Sequence, residues 1–194
     1  SRRQRQMCIR DRCIFVLSQD FKNELIRRGI KSDIHLTSTK VPDYFISGFD
    51  LSMRQGKAEN IMYSGRIEKA KGVYETVDTF SILKSQYKDL TLTFVGDGSE
   101  LPKLKQYVEN KKIKDVRFTG RLCGEDFKKE YINADMYLFL SYTEGMPTVV
   151  LEAMIFGLPI FTRKVGGLID FFENGKMGYI SVSYTHLTLP TTSR

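Results

Sequence analysis

Cysteine and histidine are scarce in this 194-residue chain, with only Cys8, Cys13 and Cys123 of the one and His35 and His186 of the other. No C-x-x-C occurs, three thiols cannot all pair with one another, and two distant histidines complete no structural zinc set. Such usage fits a reducing, cytosolic setting. No apolar run approaches the ~18 residues that would span a bilayer, and the first residues lack the apolar core of a signal peptide. Also missing are G-x-G-x-x-G, a P-loop lysine, G-x-S-x-G and H-E-x-x-H, which weakens nicotinamide, NTPase, serine-hydrolase and zinc-protease readings. Acidic residues are outnumbered, giving a net charge of +7. Yet Arg2, Arg3, Arg5, Arg10 and Arg12 against a lone Asp11, together with Arg194, account for most of it. Between Ile14 and Ile180 there remain 24 basic and 22 acidic residues. The basicity belongs to the ends, so no nucleic-acid partner is expected.

What is present is core-forming. Hydrophobic residues make up 41% of the chain and aromatics 12%, enough to exclude disorder and to build one domain or one and a half small ones. Residues 6–12 and 183–194 interrupt the pattern and resemble translated sequencing-adapter segments, so 1–12 and 183–194 are expected to be non-native flanks. Strand 13–17, helix 21–28 capped by Ser18, and strand 33–36 occupy a first piece, 13–42. A Pro/Gly/Ser-containing stretch, 43–56, reads as a linker. From 57 to 182, strands alternate with helices: strand 60–63, helix 73–86, strand 90–95, helix 100–111 (Ser99 as cap), strand 116–119, helix 125–133, strand 136–140, helix 148–156, strand 159–162, helix 168–172 and a hairpin at Asn174-Gly175. That alternation predicts an α/β fold, a Rossmann-like doubly wound parallel sheet with ligands at the carboxyl ends of its strands.

The turns at those ends carry the chemistry. Ser64-Gly65-Arg66 leads through Lys71-Gly72 to a helix start, and an Arg with a Lys beside a helix N-terminus suits a diphosphate. Val95-Gly96-Asp97-Gly98 and Phe118-Thr119-Gly120-Arg121 are glycine turns that let a ligand or another loop approach the backbone. In the run 141–159, S-Y-T-E-G-M-P-T-V-V-L-E-A-M-I-F-G-L-P, Glu144 precedes a helix in which Glu152 is the only charge between Val149 and Phe156. A carboxylate among apolar neighbours needs a partner, and two carboxylates beside a helix N-terminus offer sites for sugar hydroxyls and a phosphate. The tyrosines and phenylalanines fall at core spacing and receive no functional role.

Taken together, S-G-R-x-x-x-x-K-G, F-V-G-D-G, F-x-G, E-G-M-P-x-V-x-L-E-A-M-x-x-G-L-P and V-G-G resemble the C-terminal half of a family-4 glycosyltransferase (glycosyl transferases group 1). The resemblance implies a retaining, hexosyltransferase-type enzyme of the GT-B fold, of which this chain is the donor-binding half. It would move a sugar from a nucleoside-diphosphate sugar to an acceptor with retention at the anomeric carbon. By the same resemblance Arg66 and Lys71 hold the donor diphosphate, Gly65 lets it come close, and Glu144 lies by the donor sugar. Glu152 meets the ribose, Gly120, Arg121 and Leu122 line the base, and Gly145, Met146, Pro147 and Thr148 approach sugar and phosphate. No metal or other cofactor is implied, protein cations taking that place, and the core holds no Asp-x-Asp. The acceptor is left as a glycan, a lipid-linked sugar or a small molecule. The family's role in polysaccharide biosynthesis implies a cytoplasmic location, with peripheral association at the inner face of the membrane through the missing N-terminal half. That half would also supply the acceptor site, so the chain is expected to be inactive alone. A non-catalytic nucleotide-sugar-binding module is the alternative. Intact Arg66, Lys71, Glu144 and Glu152 argue against it, because charged groups are costly to maintain without use.

Overall fold

The computed structural model describes residues 13–37, 39, 41, 45, 47–53 and 58–180. Both flanks set aside above, 1–12 and 183–194, and part of the linker lie outside the described residues. The first piece is a β–α–β unit: β1 (Cys13–Val16), α1 (Gln19–Arg27) and β2 (Asp33–Leu36), the two strands pairing in parallel. Ser18 caps α1 as expected, its Oγ accepting the Phe21 amide at 3.2 Å, which satisfies one of the helix's unpaired first-turn donors.

The larger unit runs β3 (Asn60–Ser64), α2 (Val73–Gln86), β4 (Thr91–Val95), α3 (Leu101–Asn110), β5 (Val116–Gly120) and α4 (Gly124–Asn133). It continues with β6 (Met136–Phe139), α5 (Thr148–Ile155), β7 (Ile160–Thr162) and β8 (Gly178–Ile180). Short 3₁₀ turns lie at Lys69–Lys71 and Gly166–Asp170. All six strands pair in parallel, in the order β5-β4-β3-β6-β7-β8. Every residue of β6 and β7 is buried, as a sheet covered by helices on both faces requires. Counted from β3, the order is 3-2-1-4-5-6, the doubly wound pattern whose direction of winding reverses between its first and fourth strands. Here those strands are β3 and β6, so the loops after Ser64 and after Phe139 open on one crevice.

Three sequence expectations change. Residues 168–172 are not an α-helix; the chain turns as a 3₁₀ segment from Gly166. Asn174-Gly175 makes no hairpin. Phe171 and Phe172 pack on the core and form no strand for the return to pair with, so β8 joins β7 in parallel instead. Ser99 caps nothing, since α3 starts at Leu101 with Glu100 as its N-terminal neighbour and no side-chain cap. The stretch read as a linker touches the larger unit at described residues that include Phe45 and Ser47. Phe45 is buried, its ring edge-on to Tyr131 and Phe156 at centroid distances of 5.7 and 5.3 Å, and the Ser47 carbonyl accepts Lys128 Nζ. Among the described residues no helix is long and apolar enough to cross a membrane.

Candidate functional site

The β3 and β6 loops are built around each other. After β3, Tyr63 buries its ring and donates its hydroxyl to the Arg66 carbonyl at 2.9 Å, which curls the Gly65-Arg66 turn over the strand end. After β6, the Tyr142 amide donates to the Ala70 carbonyl at 3.0 Å, and the Ser141 hydroxyl does so at 3.3 Å. These bonds bring the 3₁₀ turn Lys69–Lys71 against the loop that carries Glu144. Lys71 Nζ then meets Glu144 Oε1 at 2.6 Å, the side chains only 17% and 11% exposed. Two residues 73 positions apart thus form the most enclosed ion pair of the crevice, as the chemistry of their surroundings demands: a half-buried charge needs a partner.

Two glycine contacts hold the frame. A Cβ on Gly96 would overlap the Gly65 carbonyl oxygen, so the β4 turn approaches another loop, not open space. Gly166 likewise leaves no room for a side chain beside the Glu144 and Gly145 carbonyls, and the Gly167 amide donates to the Gly145 carbonyl at 2.6 Å. The V-G-G turn therefore props the E-G-M-P turn from below. Helices α2 and α5 both start at this edge, from Gly72 and Pro147, and neither has a side-chain cap. Apart from the Val150 amide, which the Pro147 carbonyl accepts at 3.0 Å, their first-turn N–H groups and positive dipole ends suit an anion.

A cavity of about 540 Å³ opens at the ends of β3, β4 and β5, lined by Gly65, Arg66, Val95, Gly96, Asp97, Arg121, Leu122, Phe127 and Val149; Lys71, Glu144 and Glu152 are not among its lining residues. Of the residues expected at the site, Gly65, Arg66, Arg121 and Leu122 are here together, with Gly120 directly before Arg121 at the end of β5. Gly145, Met146, Pro147 and Thr148 form the turn and start of α5. Arg66 does not join the Lys71–Glu144 pair. Its guanidinium is 70% exposed and pairs with Glu68 at 2.8 Å.

Glu152 has the partner its setting requires. Its Oε2 accepts the Tyr131 hydroxyl at 2.8 Å, and burial holds its carboxyl above the ordinary value while that bond pulls the other way. Tyr131 in turn contacts Ser64 Oγ at 2.9 Å, and Ser64 Oγ contacts the Tyr137 hydroxyl at 2.8 Å. Sequence reasoning assigned these tyrosines to the core. The available signal was their identity, because a buried Tyr where Phe would pack equally well implies a partner for its hydroxyl.

The family model described as "Glycosyl transferases group 1" matches residues 52–189. The chain belongs to this family. Its glycosyltransferase relatives include a putative teichuronic acid biosynthesis glycosyltransferase of Bacillus subtilis, 32% identical over 111 residues, covering 57% of this chain and 26% of that protein. The glycogen synthase of Mycobacterium tuberculosis is 32% identical over 126 residues, covering 64% of this chain and 30% of the enzyme. The chain thus spans about a third or less of the length of these curated relatives. Among solved structures, a pneumococcal O-GlcNAc transferase in complex with UDP and GlcNAc superposes with a TM-score of 0.74 at 23% identity, over 91% of this chain and 35% of that one. The six-stranded unit is accordingly a Rossmann-like domain of the kind that builds GT-B glycosyltransferases.

Proposed function

We propose that this chain is the donor-binding half of a family-4, retaining glycosyltransferase, which transfers a hexosyl unit from a nucleoside-diphosphate sugar to an acceptor with retention at the anomeric carbon. The observation that carries the reading is the enclosed Lys71–Glu144 pair at the β3/β6 reversal, between two uncapped helix starts. As the diphosphate departs, negative charge grows on it. Lys71, the helix-end amides and Arg66 swinging in from the rim are positioned to stabilise that charge more in the transition state than in the ground state. Protein cations take the place of a metal. Glu144, next to Lys71, faces the sugar, and Glu152 takes the ribose hydroxyls. Gly120, Arg121 and Leu122 flank the base in the cavity, while Gly145, Met146, Pro147 and Thr148 lie along sugar and phosphate. The acceptor belongs to the half that would complete the cleft. A role in polysaccharide assembly at the cytoplasmic membrane face is in keeping with relatives such as the teichuronic acid enzyme.

The test is calorimetric titration of the full chain with UDP, GDP and ADP, repeated with Arg66→Ala and Glu152→Ala. UDP comes first because the pneumococcal neighbour is a UDP complex. Binding of one nucleotide, weakened by both substitutions, is the expected result. Binding insensitive to both would remove the site from this crevice.

A further inference from the structure

Beneath the crevice lies a buried polar chain of which the donor-site reading uses only the end, Glu152. It begins at the backbone of Ser64, whose amide donates to the Tyr137 hydroxyl at 3.3 Å; the Ser64 carbonyl, 3.1 Å from that hydroxyl, competes with Ser64 Oγ at 2.8 Å for its single proton. It passes through Ser64 Oγ to Tyr131 and ends on Glu152 Oε2. Ser64, Tyr131 and Tyr137 are each fully buried. Its polarity is dictated by its end. An ionised carboxylate only accepts, so Tyr131 donates to Glu152 Oε2 at 2.8 Å, ahead of the Val149 carbonyl at 3.3 Å. The Tyr131 hydroxyl then needs a donor of its own, which is Ser64 Oγ–H, and Ser64 Oγ in turn accepts from Tyr137. Each bond orients the next in a low-dielectric interior where such chains reinforce one another.

We propose that Tyr131 is a positioning residue for nucleotide binding: its hydroxyl, oriented by Ser64, holds the Glu152 carboxylate so that Oε1 faces the ligand, and couples that carboxylate to the Gly65-Arg66 turn. The inference rests on the reading of Glu152 as a ribose ligand. Three observations support it. Oε1 has no hydrogen-bond partner among the described residues, and it is not among the sealed unpaired atoms. The Tyr131 ring is fixed from both sides, stacked on Phe156 at 5.3 Å and Tyr137 at 6.0 Å, so its hydroxyl cannot wander. And the chain joins α4, β3, β6 and α5, the elements that meet at the winding reversal, with Ser64 directly preceding the cavity-lining Gly65.

The test uses the full chain with UDP, GDP, ADP and inorganic pyrophosphate as probes, in the wild type, Tyr131→Phe, Ser64→Ala, Glu152→Ala and the Tyr131→Phe/Glu152→Ala double variant. Tyr131→Phe should weaken the bound nucleotide about tenfold, the scale of one hydrogen bond to a charged group, and leave pyrophosphate affinity unchanged. In the Glu152→Ala background it should have no further effect. A merely structural tyrosine would weaken both ligands alike or act additively with Glu152→Ala, and either result overturns the proposal. Should Tyr131→Phe not fold, Ser64→Ala decides: a loss for nucleotide with pyrophosphate unaffected supports the relay, and unchanged nucleotide affinity refutes it. If Glu152→Ala binds nucleotide as the wild type does, or if no nucleotide binds a folded chain, the donor-site reading falls first and the inference with it. Weakening by Glu152→Ala with none from Tyr131→Phe sinks the inference alone. A ligand-free readout is the carboxyl-carbon NMR titration of Glu152, which faces Tyr131 from α4 and Tyr137 from β6. Its midpoint should rise in Tyr131→Phe, because the lost bond favours the charged form.

Discussion

Lys71→Met and Glu144→Gln should each unfold the protein more easily than both together. At an N···O separation of 2.6 Å and an effective dielectric constant near 20, the gross attraction is about 6 kcal/mol, and desolvation of two ions offsets most of it. The net worth of the intact pair is therefore small. The cost of half a pair is not, because side chains 17% and 11% exposed leave the surviving charge poorly solvated. Fully buried pairs lose 3–5 kcal/mol when one partner is removed; with this residual exposure we expect about 2–3 kcal/mol for either single variant. For a domain of this size that is a drop in Tm of roughly 4–12 °C. The double variant should recover most of the loss, leaving about 1 kcal/mol or less relative to wild type. Urea unfolding of the four proteins, analysed as a double-mutant cycle, measures the coupling directly. The nucleotide adds a second sign. Glu144 competes with an incoming diphosphate for Lys71, so Glu144→Gln should tighten binding of a nucleoside diphosphate while Lys71→Met weakens it. Additive single losses would refute the coupling of Lys71 to Glu144, and a Glu144→Gln variant that binds nucleotide more weakly would refute the competition for Lys71.

Other expectations follow from single contacts. Arg66→Ala in the intact enzyme should lower kcat by ~10²-fold, more than it raises the donor KM, while leaving stability nearly unchanged because the Arg66–Glu68 pair is solvent-exposed; unaltered turnover would remove Arg66 from catalysis. Glu152→Gln should be more stable than wild type above neutral pH, with the gap closing as pH falls. Burial raises the folded-state pKa above the ordinary 4.5, so the penalty on the charged form is complete above the folded midpoint and absent below 4.5. Urea midpoints from pH 8 to 4 measure this, and a gap that widens on acidification contradicts it. Phe45→Ala should destabilise the six-stranded unit by ~3 kcal/mol, the usual cost of deleting a buried aromatic. A change below ~0.5 kcal/mol in chemical denaturation would mean that the linker packs only loosely on α4 and α5.

Much of this was legible before any coordinates. Alternating apolar strands and capped helices sufficed for a parallel sheet, since each segment's periodicity reports its own burial. The glycine and charge clusters after Tyr63, Val95, Thr119 and Leu140 marked the carboxyl edge, because tight turns and exposed cations are local requirements. Errors fell where a local signal met a non-local competitor. Asn174-Gly175 has hairpin chemistry, but Phe171 and Phe172 were drawn into the core and left β8 free to pair with β7. A Pro/Gly/Ser stretch reads as a linker whether or not Phe45 finds an aromatic cluster to enter.

What the sequence alone determined is thus an inventory: the elements, their order, the motif residues Gly65, Arg66, Lys71, Glu144 and Glu152, and the family they resemble. Adjacency was decided only in three dimensions. Nothing in the local pattern says that β3 lies between β4 and β6, yet that single neighbour choice carries Lys71 to Glu144 across 73 residues, joins Ser64 to Tyr131 and Tyr137, and opens the crevice between them. Strand order emerges from how all the apolar faces are covered at once, a global condition to which each segment contributes and which no segment encodes.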